Sequence, residues 1–449
     1  MRIAFFTDVF LEIPGGIPSS IKAQKAALEA LGHQVTIFCP GWQNNPKAQQ
    51  SKHTTQQKTH PAQHFSQHSA QCHSQYTSQQ SSQQSQNIVT VPSFSHLRPN
   101  GAPLAKSPKK ILKYLKNLYP NFADYFDLVH VHYEGSCSIA GVKIAKDSKL
   151  KLIQTMHGRE DVAIYTNVPK PLNYLVAPIL NFLHQNSLKK YLRTPVCLPK
   201  KDQYLIKTSI HRNMWELMIR QANLADIVIS PSKHFAKNLE HYHAAPKVYV
   251  VSNGVDDSLV AKYNFKPRVY QKNNTLNIFW SSRVSKEKRI LPFLEAIKGM
   301  KSSSRIHLTI IGEGNQLQEA KDYAKKYLPN TKIDFLGLIP HEKLFSYMKN
   351  QHLSVINSYG FDTQGMTILE AIACGLPVIY ADPAMDEVVP KNCGARAKNQ
   401  TSTAMSNLLD FIIEHPELIN QMSQASLKAK SSVMQSTQIK KLIKLYKSA

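Results

Sequence analysis

Asp362 and Glu370 stand eight positions apart in the run Asp362-Thr-Gln-Gly-Met-Thr-Ile-Leu-Glu370. An apolar strand is expected at Leu353–Asn357, and Gly375 and Pro377 should stop a helix that carries Glu370 early in its length. The acids then lie where a βα loop enters a helix, the place where open α/β sheets bind ligands. The amides of Gly365, Met366 and Thr367 at that helix start would point at an anion. Arg283 and Lys288 follow another expected strand, Leu276–Trp280, and two cations at a strand end can clamp a diphosphate. Taken singly, the cations read more readily as a solvated loop and the acids as surface residues. Gly312 and Gly337 end two further expected strands, and each is a weak signal alone. Their coincidence decides the reading. Arg283, Lys288, Gly312, Gly337, Asp362 and Glu370 all fall at carboxyl ends of strands in one expected sheet, so they should converge on one crevice.

The elements that must hold these residues alternate β and α twice along the chain. Arg2–Thr7 and Gln34–Phe38 read as strands around a helix near Ile17–Leu31. Gly15 and Gly16 fall in that first βα loop, where a side chain would obstruct a close ligand. Leu128–His132 and Leu152–Met156 are further strands, and His157 follows the second. Residues 107–118 read as a helix with Ile111, Leu112, Leu115 and Leu118 inward and Lys109, Lys113 and Lys116 outward. The stretch from Val168 to Ala222 reads as mostly helical, mixing basic and apolar residues. These patterns predict an α/β fold with two Rossmann-like, doubly wound domains, 1–255 and 256–435, and a basic amphipathic helix at 436–449. Residues 42–87 differ in kind: 14 Gln, five His, three Lys and no acid. Such a run cannot bury a core and reads as a low-complexity surface insertion.

Composition narrows the class. The chain has 449 residues, a formal charge of +25 and six Cys without metal-ligand or C-x-x-C spacing. The cysteine pattern suggests a reducing compartment. The charge implies anionic partners: nucleic acid, a membrane surface or phosphorylated substrates. Between Gly101 and Arg220 there are 19 Lys+Arg against 8 Asp+Glu, beside the apolar run Leu172–Leu183. That run contains Asn and Pro and is too short to span a bilayer. A basic excess among apolar residues, with no recognisable nucleic-acid module, argues against nucleic acid and for a membrane surface. The chain should be cytosolic or peripheral.

Nearly the whole chain resembles a retaining glycosyltransferase of family 4, of GT-B architecture. The matching pieces are Gly15-Gly16, Val129-His-Val-His132, His157, Pro231-Ser-Lys233, Asn253-Gly-Val-Asp256, Arg283 to Lys288, Ile311-Gly-Glu-Gly314, Phe335-Leu-Gly337 and the Asp362/Glu370 element. The resemblance implies two domains facing a central cleft, with the 436–449 helix crossing back to the first domain. It implies that Glu370 binds the ribose of a nucleotide sugar, Asp362 and His157 contact the transferred sugar, and Arg283 and Lys288 neutralise the leaving diphosphate. Gly16 would let the backbone approach that diphosphate. Two departures stand out: Asp362 where the family usually has Glu, and Ser282 where it usually has Gly. No Asp-x-Asp motif lies in a suitable loop, so a metal-independent reaction without cofactor is expected. The Asp-Thr-Gln-Gly element is similar to that of bacterial diacylglycerol glucosyltransferases, which implies UDP-glucose as donor and a membrane lipid as acceptor. A soluble, polyprenyl-linked or protein acceptor in envelope polysaccharide synthesis is the alternative.

Overall fold

A computed structural model describes residues 1–42, 87–94, 96, 102–193 and 195–448. Of the expected insertion, 43–86 lies outside the described residues. Two parallel sheets organise the rest. The first has seven strands: β1 (Arg2–Phe6), β2 (Gln34–Pro40), β3 (Ile88–Val91), β4 (Leu128–Val131), β5 (Lys151–Thr155), β6 (Ile227–Ser230) and β7 (Val248–Val250). Their spatial order is β3-β2-β1-β4-β5-β6-β7. The second sheet has β8 (Leu276–Ser281), β9 (Ile306–Ile311), β10 (Lys332–Phe335), β11 (Leu353–Ile356), β12 (Val378–Tyr380) and β13 (Gly394–Arg396). Its order is β10-β9-β8-β11-β12-β13.

The central strands are apolar on both faces because helices cover both, as in β4 and β6, where every residue is buried. Each sheet reverses its winding once, between β1 and β4 and between β8 and β11. A crevice opens at such a switch point because the two flanking loops leave in opposite directions. The loops after β1, β4, β8 and β11 therefore flank the crevice of each sheet.

Strand and helix limits differ from expectation by only a residue or two. The stretch 168–222 is mostly helical, as expected, in the two helices Leu172–Leu188 and Ser209–Ala222, and among the described residues between Leu192 and Thr208 no long helix forms. Pro195 and Pro199 lack the amide a helix needs. Asp202 instead accepts the amides of Tyr204, Leu205 and Ile206 at 2.9, 2.9 and 2.8 Å, fixing a turn. In the helix Pro108–Leu118, Ile111 and Leu115 are buried, but Leu118 in the last turn is exposed. Glu370 sits fifth in the eight-residue helix Met366–Ala373, not early in it.

The chain crosses between domains twice, side by side. Val255 donates its amide to Val433 at 2.9 Å, and Gln435 returns one to Val255 at 2.8 Å. The second crossing feeds the helix Gln435–Ser448 onto the first domain. There Ile439, Leu442 and Tyr446 are buried against Ile3, Phe5, Ile21 and Leu128.

Candidate active site

On the second-domain wall, the carboxyl ends of β8, β9 and β11 bring the expected cations and acids together. Lys288 Nζ lies 2.5 Å from Asp362 Oδ1, and Ser358 donates its hydroxyl to the other carboxylate oxygen. Lys288 also stands 5.0 Å from the ring centre of Phe361. Arg283 does not join Lys288 in a clamp here. Its side chain is 48% exposed, and its nearest acid, Glu287, is 3.9 Å away. So Lys288 is committed to Asp362 while Arg283 remains open to an anion. Glu370 is buried rather than on the surface, and its Oε1 meets His341 Nε2 at 2.6 Å. Burial works against charge on His341, but Glu370 and Glu342 outweigh it and hold its pKa above the usual value.

Gly365 precedes the helix Met366–Ala373, so the Met366 and Thr367 amides open it. The Thr367 hydroxyl donates to Ser281 O at the end of β8 (3.1 Å), tying helix to strand. Gly312 ends β9 at φ +133°, and a Cβ there would lie 1.9 Å from Ser282 O. Any side chain would push the 282–285 loop, and Arg283 with it, out of place.

The first domain reaches the same space from β1, β4 and β5. A Cβ on Gly16 would come within 3.1 Å of Met366 Cγ, so the close approach this glycine permits is to the second domain's helix start. Gly15 beside it is exposed. His157 follows β5 and is buried, and Thr363 donates its hydroxyl to His157 O at 2.6 Å. Burial pushes the His157 pKa down to about 4, so the imidazole is neutral near pH 7. Gln364 crosses the same gap, accepting the Asn253 amide at 2.9 Å and donating to the Ser252 hydroxyl at 2.6 Å.

Arg159, Trp215 and Glu134 were not singled out from the sequence, whereas Asp8 and the acid pair Glu160/Asp161 behind His157 stood out in it. Arg159 forms a buried pair with Asp161 (2.8 Å) and reaches Gly360 O at 3.3 Å, bracing the loop that carries Asp362. Trp215 Nε1 donates to Asp161 at 3.1 Å. Asp8 accepts the amides of Gly135, Cys137 and Ser138 (3.0, 2.7 and 3.1 Å), anchoring the helix that follows β4. Burial raises the pKa of Asp8, Glu134 and Glu160 along this wall. For Asp8, Glu134, Arg159 and Glu160 position was a signal, since each lies within a few residues of a strand's carboxyl end, whereas Trp215 sits inside the helix Ser209–Ala222 and nothing local marked it. Among the described residues, no group of three or more His, Cys, Asp or Glu could hold a metal ion.

The comparisons bear on the same two halves. Residues 14–259 match the family model Glycosyltransferase Family 4, and residues 263–429 match Glycosyl transferases group 1. The chain is similar to an alpha-monoglucosyldiacylglycerol synthase of Streptococcus pneumoniae, 23% identical across 93% of this chain and 80% of the relative. It is also similar to one from Acholeplasma laidlawii, 22% identical across 94% and 91%. Among solved structures it resembles a sucrose-phosphate synthase from Thermosynechococcus elongatus, with a TM-score of 0.63, 16% identity and coverage of 100% and 98%. Anabaena Alr3699/HepE in complex with UDP-glucose matches with a TM-score of 0.61, 14% identity and full coverage of both chains.

Proposed function

This chain belongs to Glycosyltransferase Family 4, and from that premise we propose that it moves glucose from UDP-glucose to a membrane lipid such as diacylglycerol, with retention. Its GT-B fold presents both walls of the cleft. In the reading we favour, Glu370 leaves His341 to take the ribose hydroxyls. Arg283 and Lys288 face the diphosphate. Asp362 and His157 hold the transferred sugar, and Gly15 and Gly16 sit where the first domain's backbone comes nearest the second. The amides of Met366 and Thr367 add positive potential at the phosphates. As the sugar–phosphate bond breaks, charge grows on the diphosphate, and fixed cations and amides oriented towards it stabilise that charge. No metal ion or cofactor is needed for this arrangement.

One observation carries the choice of acceptor. The helix Leu172–Leu188 turns its polarity inside out. Its buried positions include Asn173, Asn181 and His184, whereas Leu175, Ile179, Phe182 and Leu183 are 61, 56, 65 and 54% exposed. Asn181 and His184 are held by Asn213, Glu216, Arg220 and Gln221 of the helix Ser209–Ala222. An apolar face that water meets across three turns suits shallow insertion into lipid. Lys109, Lys113 and Lys116 on the same domain supply attraction to anionic headgroups. Among the described residues no helix is long and apolar enough to cross a membrane, so docking is peripheral in this reading. The test is to incubate the enzyme with several nucleotide sugars and diacylglycerol vesicles and identify products by mass spectrometry. A glucosyl-diacylglycerol product supports the proposal. Transfer only to a soluble, polyprenyl-linked or protein acceptor would replace it.

A further inference from the structure

Three imidazoles of the first domain stand in a row that ends at His157. His130 has both ring nitrogens occupied, by the Tyr446 hydroxyl at 2.6 Å and the Thr155 hydroxyl at 2.7 Å. Tyr446 comes from the helix Gln435–Ser448, so the last helix locks this ring. The His132 ring centre lies 4.0 Å from that of His130. Its Nδ1 is 3.1 Å from Nε2 of His157. His132 is fully buried, and its Nε2 has no partner.

Burial drives the pKa of His130 and His132 well below the usual value, and that of His157 down to about 4. The rings are therefore neutral, and each carries one proton. Two lone pairs cannot share a 3.1 Å contact, so one proton lies between His132 and His157. If His157 supplied it, the proton of His132 would sit on Nε2, a buried N–H without an acceptor. If His132 supplies it from Nδ1, its Nε2 is a bare acceptor. Buried N–H groups without partners are rarer than under-satisfied acceptors, so the second arrangement wins. The His157 proton then resides on Nδ1, the nitrogen left for a ligand.

We infer that His132 is a positioning residue that fixes the tautomer of His157, so that His157 offers the donor sugar an N–H donor. The inference rests on the reading that His157 touches the transferred sugar. A sugar hydroxyl oxygen would accept from Nδ1, and the reverse tautomer would present a lone pair there instead. His130, pinned by Tyr446 and Thr155, keeps His132 from rotating away.

The test begins on the unaltered protein. Nitrogen-15 spectra of histidine-labelled enzyme, with the His157 signals assigned from their loss in His157→Gln, should show a protonated Nδ1 and an unprotonated Nε2. The opposite pattern overturns the inference whatever the variants do. His132→Leu should then lower kcat about tenfold, the scale of one neutral hydrogen bond, with the affinity for free UDP unchanged. His132→Asn, which can still present an N–H near the old Nδ1, should recover most of that loss. If His132→Leu turns over normally while His157→Ala does not, the positioning role fails and the sugar contact survives. Normal turnover of His157→Ala removes the sugar contact itself.

Discussion

The two walls of the cleft handle charge in opposite ways. The second-domain wall keeps its charges and pairs them: Lys288 with Asp362, His341 with Glu370. On the first-domain wall, burial opposes charge: it lowers the pKa of His130, His132 and His157 and raises that of Glu134 and Glu160. The wall beside the diphosphate must answer a growing negative charge, so it holds ions ready. In the proposed reading the first-domain wall meets uncharged sugar hydroxyls through His157, for which fixed neutral donors and acceptors serve without a desolvation penalty. One wall should therefore be vulnerable to neutralisation and the other to protonation.

The largest test of that contrast lies with the acids. Asp362→Ala and Glu370→Ala should each cut kcat/KM by more than about 10²-fold, a scale typical of one lost preorganised contact. Loss of Glu370 should act mainly on donor KM, and loss of Asp362 mainly on kcat. Steady-state kinetics with unchanged turnover in both would break the site assignment. Next come the cations. Arg283→Gln should cost about 10²-fold in rate. Because Lys288 is bound to Asp362 and Arg283 pairs only loosely, with Glu287 at 3.9 Å, the Lys288/Asp362 double variant should be far from additive. Combining Arg283→Gln with Lys288→Ala should come nearer to additivity. A double-mutant cycle showing the reverse would mean that Arg283, not Lys288, is coupled to the acid.

The membrane face should respond on a smaller scale. Leu175→Ser with Phe182→Ser should weaken vesicle binding about tenfold or more, from lost apolar burial. High salt should weaken the remaining attraction but leave the apolar share of the unaltered protein intact. Co-sedimentation showing equal binding to neutral and anionic vesicles would remove the role given to the lysines.

The same contrast can be read from the dependence of stability on pH. His157 folds with a pKa near 4, below its unfolded value of about 6.5. As pH falls through that window, only the unfolded chain gains the proton, so stability should drop by up to about 1.4 kcal/mol per pH unit for each such histidine. His341 runs the other way. Its folded pKa is raised, so its contribution is complete below about pH 6.5 and fades as pH rises through the folded value. His341→Gln should therefore lower Tm more at pH 6 than at pH 9. Melting curves with the two signs exchanged would contradict the contrast between the walls.

How far the sequence revealed this depends on the range of the interaction. Apolar runs between glycine turns marked the strands, because period and turn chemistry are local. The placement of Arg283, Gly312 and Asp362 at strand ends followed from the same signal. The link from Lys288 to Asp362 spans 74 residues, and no local pattern encodes it. His130 and His132 were visible as a motif, but the partners that give them meaning come from β5 and the last helix. In the helix Leu172–Leu188 the outward residues Leu175, Ile179, Leu180 and Phe182 were legible, and all four are exposed. What no local pattern encodes is the polar anchoring, in which groups of Ser209–Ala222 hold Asn181 and His184 inside.

The position of the helix Gln435–Ser448 also has a consequence for how the molecule is made. Ile439, Leu442 and Tyr446 complete the core that begins with Ile3 and Phe5, yet the ribosome delivers them only after the whole second domain. Domains generally acquire structure in the order of synthesis. Here the first domain would wait, its apolar socket open, while the whole second domain is translated. A chain arrested before Gln435 should then display that socket to chaperones, and only emergence of the helix Gln435–Ser448 would seal it.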